Sequence, residues 1–206
     1  MDERTHQQVM DIKQGFRLRM NGMTAASMRD KGTQYKLNWG ISLVELRQMA
    51  KGLEHSYELA VELWKEDIRE CKILATLLMP PEKMLPDLAD LWMEQTPTTE
   101  MAEMLAFNLF QHVDFAPQKA FEWMASASEI RQICAYHILA RLFARGIEPS
   151  ERSAEEYADQ VEAALKDPHA GVRHAAWGSL QKYAMLGEEY GRKADKIAKS
   201  ADLAIF

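Results

Sequence analysis

Glycine and proline together supply only 17 of 206 residues, fewer than a fold built on many tight β-turns would need. Cysteine is scarcer still. Cys71 and Cys134 are too few for a disulfide framework and stand in no metal-ligand spacing. No stretch approaches the roughly 18 continuous apolar residues of a membrane span. The charged opening MDERTHQQVM lacks the apolar core of a signal peptide. A basic excess is missing as well. The net charge is −6, and the deficit lies in 71–130, where Lys72, Lys83 and Lys119 face nine acidic residues. Residues 1–70 and 131–206 each balance 11 basic against 11 acidic side chains. Nucleic-acid binders usually show a basic stripe, because phosphate neutralisation supplies most non-specific affinity. A helical array can still gather its cations on one face in space. What is present, 47% hydrophobic and 27% charged residues, is the composition of a globular chain. The reading is a reduced, cytoplasmic, soluble, mostly helical protein with no membrane association.

Apolar residues recur at helical spacing almost throughout. Val9, Ile12, Phe16 and Met20 mark a first helix over about 4–20. The stretch 21–41, with Gly22, Gly32 and Gly40, reads as irregular with room for a short helix. Ser42 with Glu45 three residues on has capping-box spacing, and Gly52 is a plausible stop. Further helices are expected over about 55–66, 68–79, 83–95, 99–112, 115–125, 127–145, 153–166, 169–185 and 188–203. Ser153 and Glu156 suggest a second capping box.

Three helix openings share an Ile/Val-Arg pair: Ile68-Arg69, Ile130-Arg131 and Val172-Arg173, followed by the small residues Cys71, Cys134 and Ala176. Their separations of 62 and 42 residues suit stacked helix pairs of the HEAT type, with a degenerate unit around 99–112 filling the longer gap. The expected fold is all-α, a right-handed superhelix of HEAT-like repeats forming a single domain over 1–206. Residues 1–52 are read as N-terminal helices, 53–187 as helical-pair repeats and 188–206 as a capping helix.

No phosphate loop, dinucleotide fingerprint, nucleophile elbow or zincin motif occurs. His169 and His174 are five apart and do not share a helix face as metal ligands would. The 13 methionines fall at helical spacing and read as core. One constellation stands out, Asn108-Leu-Phe110-Gln-His112-Val-Asp114-Phe115. An aromatic ring four residues before a carboxylate shares its helix face, and an apolar wall makes that carboxylate useful for stabilising a cation. The structural alternative makes Asp114 an N-cap for the next helix. Of the five Trp residues, Trp64, Trp92 and Trp123 read as core. Trp39 and Trp177 are the candidates to face a groove and stack a base.

Several segments, in order, resemble the bacterial DNA alkylation repair glycosylases built from HEAT-like repeats (the AlkD type). They are Lys36-Leu-Asn-Trp-Gly40-Ile-Ser-Leu-Val-Glu-Leu46-Arg47, Glu58-Leu-Ala-Val-Glu-Leu63-Trp64, Val113-Asp114, Ala120-Phe-Glu-Trp123-Met, and Val172-Arg-His-Ala-Ala-Trp-Gly-Ser-Leu180-Gln-Lys-Tyr183. The resemblance implies a C-shaped superhelix holding duplex DNA and excising purines alkylated at N3 or N7, without metal or cofactor. The family's catalytic Asp falls on Asp114. A neighbouring Trp falls on Phe110. The active-site Arg falls on Gln132, with Arg131 adjacent. A second Trp falls on Gly178, with Trp177 before it. The expected site is therefore Asp114 as the stabilising or water-activating carboxylate, Phe110 and Trp177 as lesion-facing aromatics, and Arg131, Gln132 and Arg173 as DNA contacts. The alternative is a non-catalytic helical-repeat scaffold that binds DNA or a protein partner.

Overall fold

The computed structural model describes residues 3–32 and 35–203, and the chain divides into two compact units, Met1–Leu85 and Pro86–Phe206. Twelve α-helices and no strand occur among the described residues. The expected single-domain bounds and the irregular stretch 21–41 both include positions outside the described residues, 33 and 34 in the latter.

In the first unit α1 (Glu3–Arg17), α2 (Gly22–Asp30), α3 (Leu43–Lys51), α4 (Tyr57–Lys65) and α5 (Arg69–Leu78) enclose Phe16, Ile41, Leu46, Leu59, Leu63 and Leu74. The stretch read as irregular thus holds a nine-residue helix, capped by Asn21, whose side chain accepts from Thr24 N. The Ser42–Glu45 capping box forms with both of its reciprocal bonds. The segment before α3 is pinned from inside. Glu70, fully buried, accepts from the backbone amides of Trp39 and Ile41, and Arg69 Nη1 donates to Ile41 O at 3.0 Å and to Glu70 at 3.2 Å. Burying two charges is tolerated because each meets its partner and a backbone group.

In the second unit the helices are α6 (Pro86–Glu94), α7 (Thr99–Asn108), α8 (Ala116–Met124), α9 (Glu129–Ala144), α10 (Glu151–Ala164), α11 (Ala170–Ala184) and α12 (Glu188–Ser200). Helices α7, α9 and α11 pack side by side in one layer, α8 packs on α9, and α10 packs on α11 and α12. The rings of Phe143, Tyr157, Tyr183 and Tyr190 tie α9 to α12, with centroid distances of 4.9–5.4 Å. Ser150, not Ser153, caps α10; Ser153 supplies the backbone amide that Ser150 Oγ accepts from.

The predicted 99–112 helix stops early. Leu109 leaves helical geometry (φ −129°, ψ −64°), and Phe110–His112 forms a 3₁₀ turn. Gln111 then donates from its side chain to Phe107 O at 2.6 Å, satisfying a carbonyl that the helix end leaves open.

Candidate nucleic-acid interface

The stacking of α7 on α9 has a fixed register. Glu103, Phe107 and Gln111 follow one another at four-residue steps along α7 and the turn after it. His137, Arg141 and Arg145 do the same along α9. Each pair across the interface is separated by 34 residues in sequence. His137 Nε2 lies 3.5 Å from Glu103 Oε1, and its ring meets Phe107 edge-on at 5.0 Å. The Arg141 guanidinium sits over the Phe107 ring at 4.2 Å. Arg145 Nη2 donates to Gln111 O at 2.6 Å. Three successive rungs at one offset mean that the two helices run in the same direction, as stacked repeats must. Burial and the charge of Arg145 hold the nearby His112 below the usual imidazole range.

This ladder fixes where the sequence-predicted residues lie. Asp114 follows Gln111 closely, so it belongs to the C-terminal end of α9, where Arg145 is. Arg131 and Gln132 occupy the first turn of α9, 14 positions before Arg145, which is about 21 Å of helix. Glu129 Oε2 and His169 Nε2, 3.6 Å apart, mark that same end against α11. The structure does not bring Asp114 together with Arg131, Gln132 or Arg173.

Phe110 is 1% exposed, its ring 5.3 Å from that of Trp123, so it is core and faces no lesion. It does not share a helix face with Asp114, because α7 has ended before both. Asp114 is exposed, in the turn before α8. Nor is it a cap: Phe115 occupies the N-cap position of α8, with no side-chain capping bond. Gln132 donates to Ser126 O at 2.7 Å, and Arg131 Nη2 lies 3.4 Å from Glu94. Arg173 Nη1 is held by the carbonyls of Asp167 and Pro168 at 2.6 and 2.8 Å. Trp177 is partly exposed on α11, and Trp39 is the other partly exposed Trp, while Trp64, Trp92 and Trp123 are buried. Gly178 faces open space where a side chain would stand.

The sequence reading missed Glu103, Phe107, His137 and Arg141. Their signal was available in part. Glu103–Phe107 is an acid–aromatic pair at i,i+4, and His137–Arg141 is a basic pair at the same spacing.

The formal charge segregates by helix. Arg131, Arg141 and Arg145 on and just after α9, with Arg173 and Lys182 on α11, outnumber the one acid of those two helices, Glu129, and of them Arg131 is paired with Glu94 of α6. Helices α6 and α10 are acidic: Asp87, Asp90, Glu94, Glu151, Glu155, Glu156, Asp159 and Glu162 against Arg152. Of the nine acids over 71–130, α6 carries Asp87, Asp90 and Glu94, and α7 carries Glu100 and Glu103. Asp90 Oδ2 also holds Lys119 at 2.6 Å and Asp90 Oδ1 accepts from Trp123 Nε1 at 2.8 Å, which fixes α6 to α8. Burial alone would raise Asp90; the bonds from Lys119 and Trp123, with the charges of Lys119 and Arg131, outweigh it and lower the carboxyl.

Both cysteines are buried free thiols, and burial pushes Cys71 up to about 12. Among the described residues no group of three His, Cys, Asp or Glu is placed to hold a metal ion. No described helix is long and apolar enough to cross a membrane.

The layered helix pairs define an α-helical repeat protein of the HEAT-like class. The chain superposes with a TM-score of 0.84, at 18% identity, on a solved structure described as a new family of proteins related to the HEAT-like repeat DNA glycosylases with affinity for branched DNA structures. The match covers 93% of this chain and 82% of that one. No curated protein matches the sequence. The sequence does match the family described as DNA alkylation repair enzyme over residues 12–189, and the protein belongs to that family.

Proposed function

We propose that this protein binds DNA on the α9–α11 layer of its second unit, favours branched or distorted DNA over regular duplex, and works in the cytoplasm, where its buried thiols stay reduced. The observation that carries this is the segregation of charge: cations outnumber acids on α9 and α11, while α6 and α10, and α7 at the edge of the layer, hold the acids. Such a layer attracts phosphates despite a net charge of −6. Arg141, exposed over the Phe107 ring, offers its guanidinium for a base to stack on, and Trp177 offers a partly exposed ring. The affinity of the structural relative for branched DNA supports the choice of ligand. The test is fluorescence anisotropy with a four-way junction and a linear duplex of the same arms across a salt series. Tighter junction binding that weakens steeply with salt is expected. No salt-sensitive binding to either would overturn the reading in favour of a scaffold for a protein partner.

Base excision is the second reading, favoured by the Glu103 group. A purine alkylated at N3 or N7 is cationic and leaves with the glycosidic electron pair. The sugar then carries positive charge until water adds, and a carboxylate beside it lowers that barrier. Glu103, with Phe107 as its wall and His137 at 3.5 Å, suits that role better than the isolated Asp114. Release of N7-methylguanine from duplex DNA that survives Asp114→Asn and is lost in Glu103→Gln is the expected pattern. The reverse pattern would return the role to Asp114.

A further inference from the structure

The first unit carries an apolar surface that neither the α9–α11 layer nor the excision chemistry uses. Leu18, Met20 and Met23, in the corner from α1 to α2, are 84%, 61% and 86% exposed. Single exposed apolar residues are ordinary, but three within six positions are not. Cations flank them in sequence: residues 17–31 hold Arg17, Arg19, Arg29 and Lys31 against Asp30 alone, while Lys13 is taken up by Glu66 at 2.9 Å. Arg17, Arg29 and Lys31 are exposed and have no side-chain hydrogen bond or ion pair among the described residues. Arg19 differs, bonded to Gly15 O at 3.1 Å and lining the cleft between α1 and α3 beside Asp11 and Glu45.

The corner is held in place from both sides. Arg19 N donates to Phe16 O at 3.0 Å, and Phe16 is fully buried. Asn21 N donates to Trp39 O at 2.8 Å, and Trp39 N is in turn fixed by the buried Glu70 carboxylate. Gly40, at φ +69°, permits this approach, because a Cβ there would collide with Asn21 O and Ala25 N. The backbone that presents these apolar side chains is therefore held before any partner arrives, and only their rotamers are left to be ordered on binding.

We propose that this corner is a second DNA contact, a wedge that sets Leu18, Met20 and Met23 against unstacked bases at a branch point while Arg17, Arg29 and Lys31 take the flanking phosphates. The inference rests on the DNA-binding reading above. The charge identifies the occupant: apolar tips between arginines fit a polyanion that exposes flat apolar faces, and apolar wedges at unstacked steps are a known mode of DNA recognition. Arg29 lies about 9 Å beyond Met23 along α2, two to three nucleotide steps of about 3.4 Å.

The test compares the wild type with the triple variant Leu18→Ser/Met20→Ser/Met23→Ser on a four-way junction, on linear duplex, and on a junction with 2-aminopurine at the branch. The triple variant is expected to bind the junction about tenfold more weakly, bind linear duplex unchanged, and lose the 2-aminopurine brightening seen with the wild type. The double variant Arg17→Gln/Arg29→Gln is expected to weaken both DNAs and reduce the salt slope by about 2. Wild-type junction binding by the triple variant, with brightening kept, would overturn the wedge and leave the DNA reading standing. Equal loss on both DNAs would overturn it too, since a wedge discriminates. Retention of the wild type, but not the triple variant, on phosphatidylglycerol vesicles with unchanged junction binding would assign the patch to a lipid surface instead. No DNA binding by the wild type would remove both readings.

Discussion

Two acid–aromatic pairs stand within twelve residues of each other, Glu103–Phe107 and Phe110–Asp114, and they fold to opposite ends. Both have i,i+4 spacing. Only the first lies on a helix, so only there does the spacing place the side chains on one face, where His137 and Arg141 of the next repeat meet them. In the second pair the helix has ended. Phe110 turns into the core against Trp123, and Asp114 is left in a turn. Spacing alone is neutral between these outcomes. The end of α7 decides.

The largest effect that sharpens this contrast is on stability. Phe110→Ala is expected to cost about 3–5 kcal/mol in denaturant unfolding, the usual price of emptying a buried aromatic site. Phe107→Ala, at a partly exposed ring that supports His137 and Arg141, is expected to cost about 1–2 kcal/mol and to weaken DNA binding as well. Equal costs would erase the distinction between the core ring and the partly exposed one.

Next comes the ladder's outer cation. Arg141→Gln is expected to weaken junction binding several-fold and to lower the salt slope by about 1, whereas Arg152→Gln on the acidic α10 leaves both unchanged. Equal effects at the two positions would break the link between charge segregation and binding.

A third carboxylate, Asp90, separates structural from ligand-facing acids through pH. Its folded value is depressed below the ordinary one near about 3.9, so its contribution to stability is present at neutral pH and lost as pH falls through the folded value. Asp90→Asn should lower the neutral plateau and flatten the acid limb of the stability profile, read by thermal unfolding from pH 7 to 2. An unchanged acid limb would contradict the role of Lys119 and Trp123 as its partners.

The smallest effect concerns Gly178. A Cβ there meets nothing within 4 Å, so Gly178→Ala should stabilise α11 by about 0.5–1 kcal/mol. If DNA backbone approaches α11 at this point, the same change weakens binding. Stabilisation without any change in binding would place the DNA elsewhere on the layer.

Much of the fold was legible because helix periodicity and punctuation are local. The Ser42–Glu45 box, the breaks at Pro80-Pro81 and Asp167-Pro168, and the core assignment of Trp64, Trp92 and Trp123 follow from neighbouring residues. The site was less legible, for two physical reasons. No glycine or proline marks the end of α7 at Asn108; a tertiary bond from Arg145 and a side-chain bond from Gln111 secure it. The 34-residue register that joins Glu103 to His137 and Phe107 to Arg141 is a property of stacked helices, while the Ile/Val-Arg repeats gave separations of 62 and 42. Even those arginines diverge. Arg69 is buried on Glu70, Arg131 meets Glu94, and Arg173 binds two carbonyls, because the pair enters each helix at a different position.

On the proposed reading DNA lies on α9 and α11 and not on α10. Photo-crosslinking separates the two placements, with a benzophenone amino acid replacing Gln181 on α11 or Glu156 on α10 and a labelled four-way junction as target. A salt-sensitive crosslink from position 181 and none from position 156 is expected. Crosslinking from 156 alone, or equally from both, would contradict it.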